Sequence, residues 1–226
     1  MTDGVQALRT VHPVETYVVR VWLQDRPGAL GQVASRIGAV RGDVIGIDIL
    51  ERGGGQAVDE LVVGLPDGSS VDLLVAEISQ VDGVAVEDVR RVANDRPDAG
   101  IQALDIAARL VEVSNERRLD LLTSLLRELT LGEWAVAIDM RSSRVMAGSG
   151  PAPDTGWLAA FVDGSRHLSP EAQADAAPGD LAWAQLGDEG VVVAVGRAGR
   201  PFHGRERQQV ALLARVTGAL LHPASA

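Results

Sequence analysis

Asp25-Arg26-Pro27-Gly28-Ala29-Leu30 stands between two unlike periodicities, and its reading decides the fold. Before it, Tyr17, Val19, Val21 and Leu23 alternate with Val18, Arg20, Trp22 and Gln24, the period-two pattern of a strand with two unlike faces. After it, Leu30, Val33, Ile37 and Val40 recur at helical spacing. Pro27 suits the first helical position, because its missing N–H would have no intrahelical partner. The stretch therefore predicts a strand-to-helix turn, with the helix running to about Val40.

Working outward, Gly42 supplies a C-terminal stop, and Val44 to Leu50 is apolar enough for a central strand. Gly53-Gly54-Gly55 turns the chain into an antiparallel return strand, Gln56 to Leu65. Pro66-Asp67-Gly68 breaks that strand before Ser69 or Ser70 caps a second helix, whose buried stripe is Val71, Leu74, Val75, Ile78 and Val81. Asp82-Gly83 ends it, and Val84 to Val92 gives a last strand. Residues 1–16 lack a sustained period and read as a tail or edge segment. The order β-α-β-β-α-β places two helices on one face of a four-stranded antiparallel sheet.

With the strand, the turn, the helix and Arg41-Gly42-Asp43-Val44-Ile45-Gly46-Ile47 in place, residues 15–93 resemble an ACT domain. The resemblance implies a ferredoxin-like regulatory module that binds an amino acid or similar small effector between two copies paired in a dimer. It places a ligand-binding site at Asp25, Arg26, Pro27, Gly28, Ala29 and Leu30, together with Val44, Ile45 and Gly46. The physics of such a site stands without the family. A helix start exposes backbone N–H groups and favours a carboxylate, Gly28 lets a ligand approach the backbone, and Asp25 can accept from an ammonium group. The same residues equally make a plain tight turn with Asp25 as N-cap. Amino-acid-binding members tend to carry Asn where Asp25 and Val44 stand here, so a purely dimerising copy is the other reading.

Asn94 to Gly100, polar and containing Pro97, is the natural domain boundary. From Ile101 to about Leu131 neither Pro nor Gly interrupts the chain, and Leu104, Ala108, Val111, Leu122, Leu125 and Leu129 fall on a helical stripe. One helix of that length would be roughly 45 Å long and would join the two domains with a dimer contact; two helices or a core helix satisfy the same stripe. Trp134 to Met140 and Arg144 to Ala147 read as a hairpin around Arg141-Ser142-Ser143. Gly148 to Gly156 reads as a plain loop, since Gly148-Ser149-Gly150 lacks the lysine and spacing of a phosphate loop. Trp157 to Val162 is strand or helix, and Ser169 to Asp180 an Ala-rich connection. Leu181 to Leu186 and Val191 to Val195 are strands around Gly187-Asp188-Glu189-Gly190, followed by a helix from Gly204 to Leu221. Val193-Ala194-Val195-Gly196-Arg197, Arg200-Pro201-Phe202, Glu206 and Leu212-Leu213-Ala214 are similar to the end of a GAF domain. Residues 101–221 are thereby expected to form a GAF-like α/β sheet domain, giving an α+β chain overall.

Composition narrows the chemistry. The 226 residues suit two domains, and with 46% hydrophobic but 3% aromatic residues their cores are built from aliphatic side chains. A formal charge of −10 opposes nucleic-acid binding. No apolar run is long enough to span a bilayer and no signal peptide is evident, so the expectation is a soluble cytoplasmic protein. All 21 basic side chains are Arg and there is no Cys, which removes Schiff-base, thiolate and Cys-ligated metal chemistry. His12, His167, His203 and His222 lack metal-ligand spacing, and no Gly-x-Ser-x-Gly elbow occurs. Pairing Asp48 with Glu60, or Asp139 with Asp163, as acid and base is arbitrary. The expectation is a non-catalytic, homodimeric regulatory protein without a cofactor, passing its signal to an unidentified protein partner. A regulatory enzyme subunit, an enzyme with an unrecognised site, or a dimerising scaffold are the alternatives.

Overall fold

The alternation around Tyr17 becomes strand β1, Val14–Gln24, beginning earlier than the pattern requires. In the computed structural model, residues 14–165, 179–187 and 190–221 are described. The readings of residues 1–13, of 169–178, of Asp188-Glu189 and of His12, His167 and His222 lie outside them. The chain divides into two compact units between Arg96 and Pro97.

In the first unit β1 is followed by α1 (Ala29–Ala39), β2 (Asp43–Gly53), β3 (Gln56–Pro66), α2 (Val71–Ile78) and β4 (Ala85–Val92). All three strand pairings are antiparallel, in the order β2-β3-β1-β4. Val19, Val21 and Leu23 of β1 and Leu61, Val63 and Leu65 of β3 share one core with Val33 and Ile37 of α1 and Leu74 and Ile78 of α2. Each such side chain contributes about 1.5–3 kcal/mol by leaving water. Ser70 caps α2, its Oγ accepting from the Leu73 N–H at 3.3 Å.

Three expectations are corrected here. Pro27 does not open the helix: the Ala29 N–H donates to the Arg26 carbonyl at 3.2 Å, and Gly28 has φ 86° and ψ −10°. Arg26-Pro27-Gly28-Ala29 is thus a type II turn, which needs a glycine at its third position, and α1 starts after it. Strand β2 lies at the sheet edge rather than in the centre, with Ile45, Ile47 and Ile49 exposed; an apolar run reports strand, not neighbours. At the end of α1 the left-handed residue is Arg41 (φ 61°), not Gly42. The Gly42 N–H reaches the Ile37 carbonyl at 3.0 Å, and a Cβ on Gly42 would lie 2.8 Å from Ile37 Cγ2. Glycine is therefore required for close packing one residue after the conformational stop. Arg41→Gly is expected to stabilise the protein by about 1 kcal/mol, because it relieves a left-handed residue. A shift of the urea midpoint to higher concentration measures this, and an unchanged or lower midpoint contradicts it.

The second unit contains α3 (Ala99–Glu112), α4 (Asn115–Thr130), β5 (Trp134–Asp139), β6 (Arg144–Ser149), α5 (Thr155–Ser165), β7 (Leu181–Leu186), β8 (Val191–Gly196) and α6 (Gly204–Leu221). Its strands pair antiparallel in the order β6-β5-β8-β7. Side chains of α3, α4 and α6 cover one sheet face, and Leu158 and Val162 of α5 the other. Gly148 and Ser149 belong to β6 rather than to a loop, and Trp157 to Val162 is helix.

The single long helix is also corrected. Val113 (ψ 151°) and Ser114 (ψ 153°) are extended, so the chain forms two helices within the second unit rather than a rod joining the domains. The physical reason sits in the charged stretch that follows. Buried Arg118 donates from Nε to the Leu110 carbonyl at 2.8 Å, from Nη2 to Val113 O at 2.7 Å and from Nη1 to Leu220 O at 3.1 Å, and also bonds Asn115 Oδ1. It satisfies carbonyls at the ends of α3 and α6, where a cation is favoured. The stripe divides accordingly: Leu122, Leu125 and Leu129 are buried, whereas Leu104 and Val111 are exposed.

Candidate functional site

The type II turn delivers the chain into α1 with no side chain capping the helix start. The first-turn N–H groups of a helix have no intrahelical partner, so this end carries partial positive charge. Nothing lies within 4 Å of where a Cβ on Gly28 would stand, which leaves the backbone open to approach. Ala29 is buried in the core and Leu30 packs against it.

The two polar side chains of the turn diverge. Arg26 turns toward α1, donating to Gln24 Oε1 at 3.0 Å and Gln32 Oε1 at 3.1 Å. There it lines an open cleft of about 510 Å³ between α1 and the residues after α2, with Gln32, Ser35, Arg36, Gln80 and Asp82. Asp25 faces β2, where Arg52 Nε stands 3.9 Å from its Oδ1. The Asp25 N–H donates to Gly55 O at 2.9 Å and ties the turn to the β2–β3 hairpin.

Val44, Ile45 and Gly46 do not join the turn within one chain. Val44 pairs with Val63, which pairs with Tyr17, whereas the turn follows Gln24 at the opposite end of β1. From Tyr17 to Gln24 a strand covers roughly 23 Å at about 3.3 Å per residue. Val44 packs on the core, Ile45 is exposed, and a Cβ on Gly46 would lie 3.3 Å from Val62 Cγ2. The β2 residue beside the turn is Arg52.

Sequence reasoning missed Asp59. This β3 residue lies opposite Val21 of β1 and Ile49 of β2, on the helix-covered face, and is 3% exposed. Its Oδ1 is buried without a hydrogen-bond partner. Burial raises its pKa; Arg52 opposes the rise and Asp25 adds to it, so its carboxyl feels the charges at the turn. The available signal was two adjacent acids, Asp59-Glu60, inside an otherwise apolar strand.

Glu60 points to the other sheet face and holds a buried cluster. It accepts from Arg20 Nη2 at 2.8 Å and Arg90 Nη2 at 3.0 Å, while Arg20 Nη1 lies 3.5 Å from Glu87 Oε1. Trp22 Nε1 donates to Glu87 Oε2 at 2.6 Å. Desolvation alone would raise the Glu60 pKa, but the Arg90 and Arg20 charges and hydrogen bonds overcome it and bring it to about 2. A carboxylate so firmly ionised is a structural anion, not a proton donor near neutrality. Asp139, at the β5–β6 turn, is spent on accepting from Ser142 Oγ at 2.8 Å and the Arg141 N–H at 2.9 Å. Among the described residues no three His, Cys, Asp or Glu side chains converge as a metal site, and no helix is long and apolar enough to cross a membrane.

No family model matches this chain, and no curated protein matches it. Among solved structures it is similar to the C-terminal domain of the MgtC protein from Mycobacterium tuberculosis, with 20% identity, 38% of this chain and 95% of that one covered, and a TM-score of 0.31. It is similar to the ACT domain of GTP pyrophosphokinase from Chlorobium tepidum, with 18% identity, 35% and 100% covered, and a TM-score of 0.29. An ACT domain protein from Streptococcus pneumoniae gives 15% identity, 38% and 99% covered, and a TM-score of 0.31. The chain's own coordinates make it an α+β protein with two four-stranded antiparallel sheets, the first in the ferredoxin-like βαββαβ order.

Proposed function

We propose that this chain is a non-catalytic regulatory protein whose first unit, ACT-like, senses a small effector, an amino acid, at the turn from Asp25 to Leu30. The observation that carries the reading is the uncapped start of α1 behind a glycine with open space around it. An effector carboxylate placed there meets unpaired N–H groups and the helix dipole. The reading also accounts for the edge position of β2. Two copies pairing β2 antiparallel about a two-fold axis would bring one copy's Val44, Ile45 and Gly46 toward the other's Arg52 and turn, and would cover Ile45, Ile47 and Ile49. The second unit is, on this reading, a GAF-like partner module, and the homodimer works in the cytoplasm by engaging another protein.

Thermal unfolding with each of the twenty protein amino acids tests the proposal. An effector at 100 times its Kd is expected to stabilise the wild type by about 2.7 kcal/mol. The Asp25→Ala/Gly28→Val double variant is expected to give no shift, since valine cannot hold the φ of 86° without strain. If no amino acid shifts the wild type, or if the shift survives in the double variant, the reading is wrong.

A further inference from the structure

We infer that Asp59 is an ammonium anchor of the effector site, so that the effector must carry a protonated amine beside its carboxylate. This rests on the effector reading of the turn and names a binding residue outside the turn motif.

The carboxyl of Asp59 is almost wholly withdrawn from water, yet Oδ1 has no donor in the protein. A buried polar atom without a partner costs free energy, and a fold that merely needed a β3 side chain here would be served better by an aliphatic one, as at Leu61 and Val63. Asp59 shares a sheet face with Arg52, two residues along β3 from Arg52's partner Ala57, so it lies toward the end of the strand that adjoins the turn. The charges around it select the ligand. Asp59 and Asp25 are two acceptors for a group with several N–H donors. The start of α1 and Arg52 are two sites that attract a carboxylate. The Arg52 guanidinium 3.9 Å from Asp25 competes with a metal ion for that carboxylate, and no three His, Cys, Asp or Glu side chains converge as ligands among the described residues. A zwitterion with adjacent ammonium and carboxylate groups matches both halves at once, whereas a plain carboxylic acid leaves Asp59 unpaired and a plain amine leaves the helix start unpaired.

Asp59→Asn keeps the shape and removes the charge, and the 226-residue chain with both units is the test object. Without ligand, the variant is expected to melt a few degrees higher than wild type, because an unpaired buried carboxylate has been neutralised. With the amino acid that shifts wild type most, its affinity by calorimetry is expected to fall at least tenfold. The 2-oxo acid of that amino acid, which lacks only the amine, should shift wild type far less than the amino acid and should not distinguish wild type from variant. An amino-acid affinity within twofold of wild type in Asp59→Asn, or equal binding of the 2-oxo acid by wild type, overturns the anchor while leaving effector sensing intact. A variant that melts lower than wild type without ligand also overturns it, since the charge would then be satisfied within the protein. If no amino acid binds wild type, both the effector reading and the anchor fall.

Discussion

Glu60→Gln is expected to cost about 3 kcal/mol at neutral pH and to flatten the acid limb of the stability curve. The first part follows from burial: the Glu60 and Arg20 side chains are 9% and 2% exposed, and removing one partner leaves guanidinium charge facing a neutral amide inside the sheet. Arg20 keeps Glu87 at 3.5 Å, which holds the cost toward the lower end of the usual range. The second part follows from linkage. A carboxyl with an unfolded value of 4.5 and a folded value of about 2 contributes stability that is complete above 4.5 and lost as pH falls toward 2. The difference corresponds to about 3 kcal/mol at 1.36 kcal/mol per unit. Neighbouring Asp59 runs the other way. Its folded pKa is raised, so its penalty is present at neutral pH and is relieved as pH falls below that raised value. Acid unfolding followed by amide exchange in β1 and β3 separates the two, since Glu60→Gln removes the loss below pH 4.5 and Asp59→Asn removes the opposing relief. A variant with the same slope as wild type between pH 5 and 2 would show that Glu60 is not ion-paired in the folded chain.

Adjacent residues with opposite behaviour show how much of this molecule its sequence reveals. The βαββαβ order was legible because β1 alternates and α1 repeats at helical spacing, each pattern being set by one covered face. Edge position was not legible at β2, since its isoleucines alternate as they would in a central strand and only the pairing order exposes them. The helix break at Val113-Ser114 carries no Pro or Gly. It is imposed by Arg118 reaching carbonyls as distant as Leu220, a contact that local periodicity cannot encode. Gly42 was legible as a stop, but the left-handed residue there is Arg41, and at the end of α4 it is Leu131, just before Gly132. In each case the glycine makes room for a neighbour, Ile37 or Val195, that comes within 2.8 Å of its would-be Cβ. At the candidate site the turn was legible and Asp59 was not, because a carboxylate in a strand takes its meaning from the elements folded over it.

Arg197→Lys is expected to be as damaging to the second unit as Glu60→Gln is to the first, although it preserves the charge. The Arg197 guanidinium leaves the end of β8, 2% exposed, and ties together three separate pieces of the chain: Thr130, Arg200-Pro201 and Glu206. Nε donates to Arg200 O at 3.0 Å, Nη1 to Thr130 O at 2.5 Å at the end of α4, and Nη2 to Pro201 O at 2.7 Å. Nη2 also meets both Glu206 oxygens, at 2.8 and 2.9 Å, while the Phe202 ring lies 4.0 Å from the guanidinium carbon. Glu206 in turn accepts from the His203 N–H at 3.0 Å, which fixes the start of α6. A planar group with five donors in fixed directions can reach this spread of acceptors, and an ammonium that sits on one atom cannot. Lysine would retain the Glu206 pair and lose the bonds from Arg197 to at least two carbonyls, the buried one of Thr130 among them, at about 1–3 kcal/mol each. The expected loss is therefore about 3 kcal/mol, read as a lower urea midpoint. Pairing Arg197→Met with Glu206→Leu separates charge from geometry. Removing both charges restores part of the stability that Arg197→Met alone loses, because Glu206 is no longer buried without its cation. The bonds from Arg197 to the carbonyls of Thr130, Arg200 and Pro201 are still lost, so recovery is incomplete. Full recovery in the double variant, or an Arg197→Lys midpoint equal to wild type, would show that the guanidinium fork does not hold α4, β8 and α6 together.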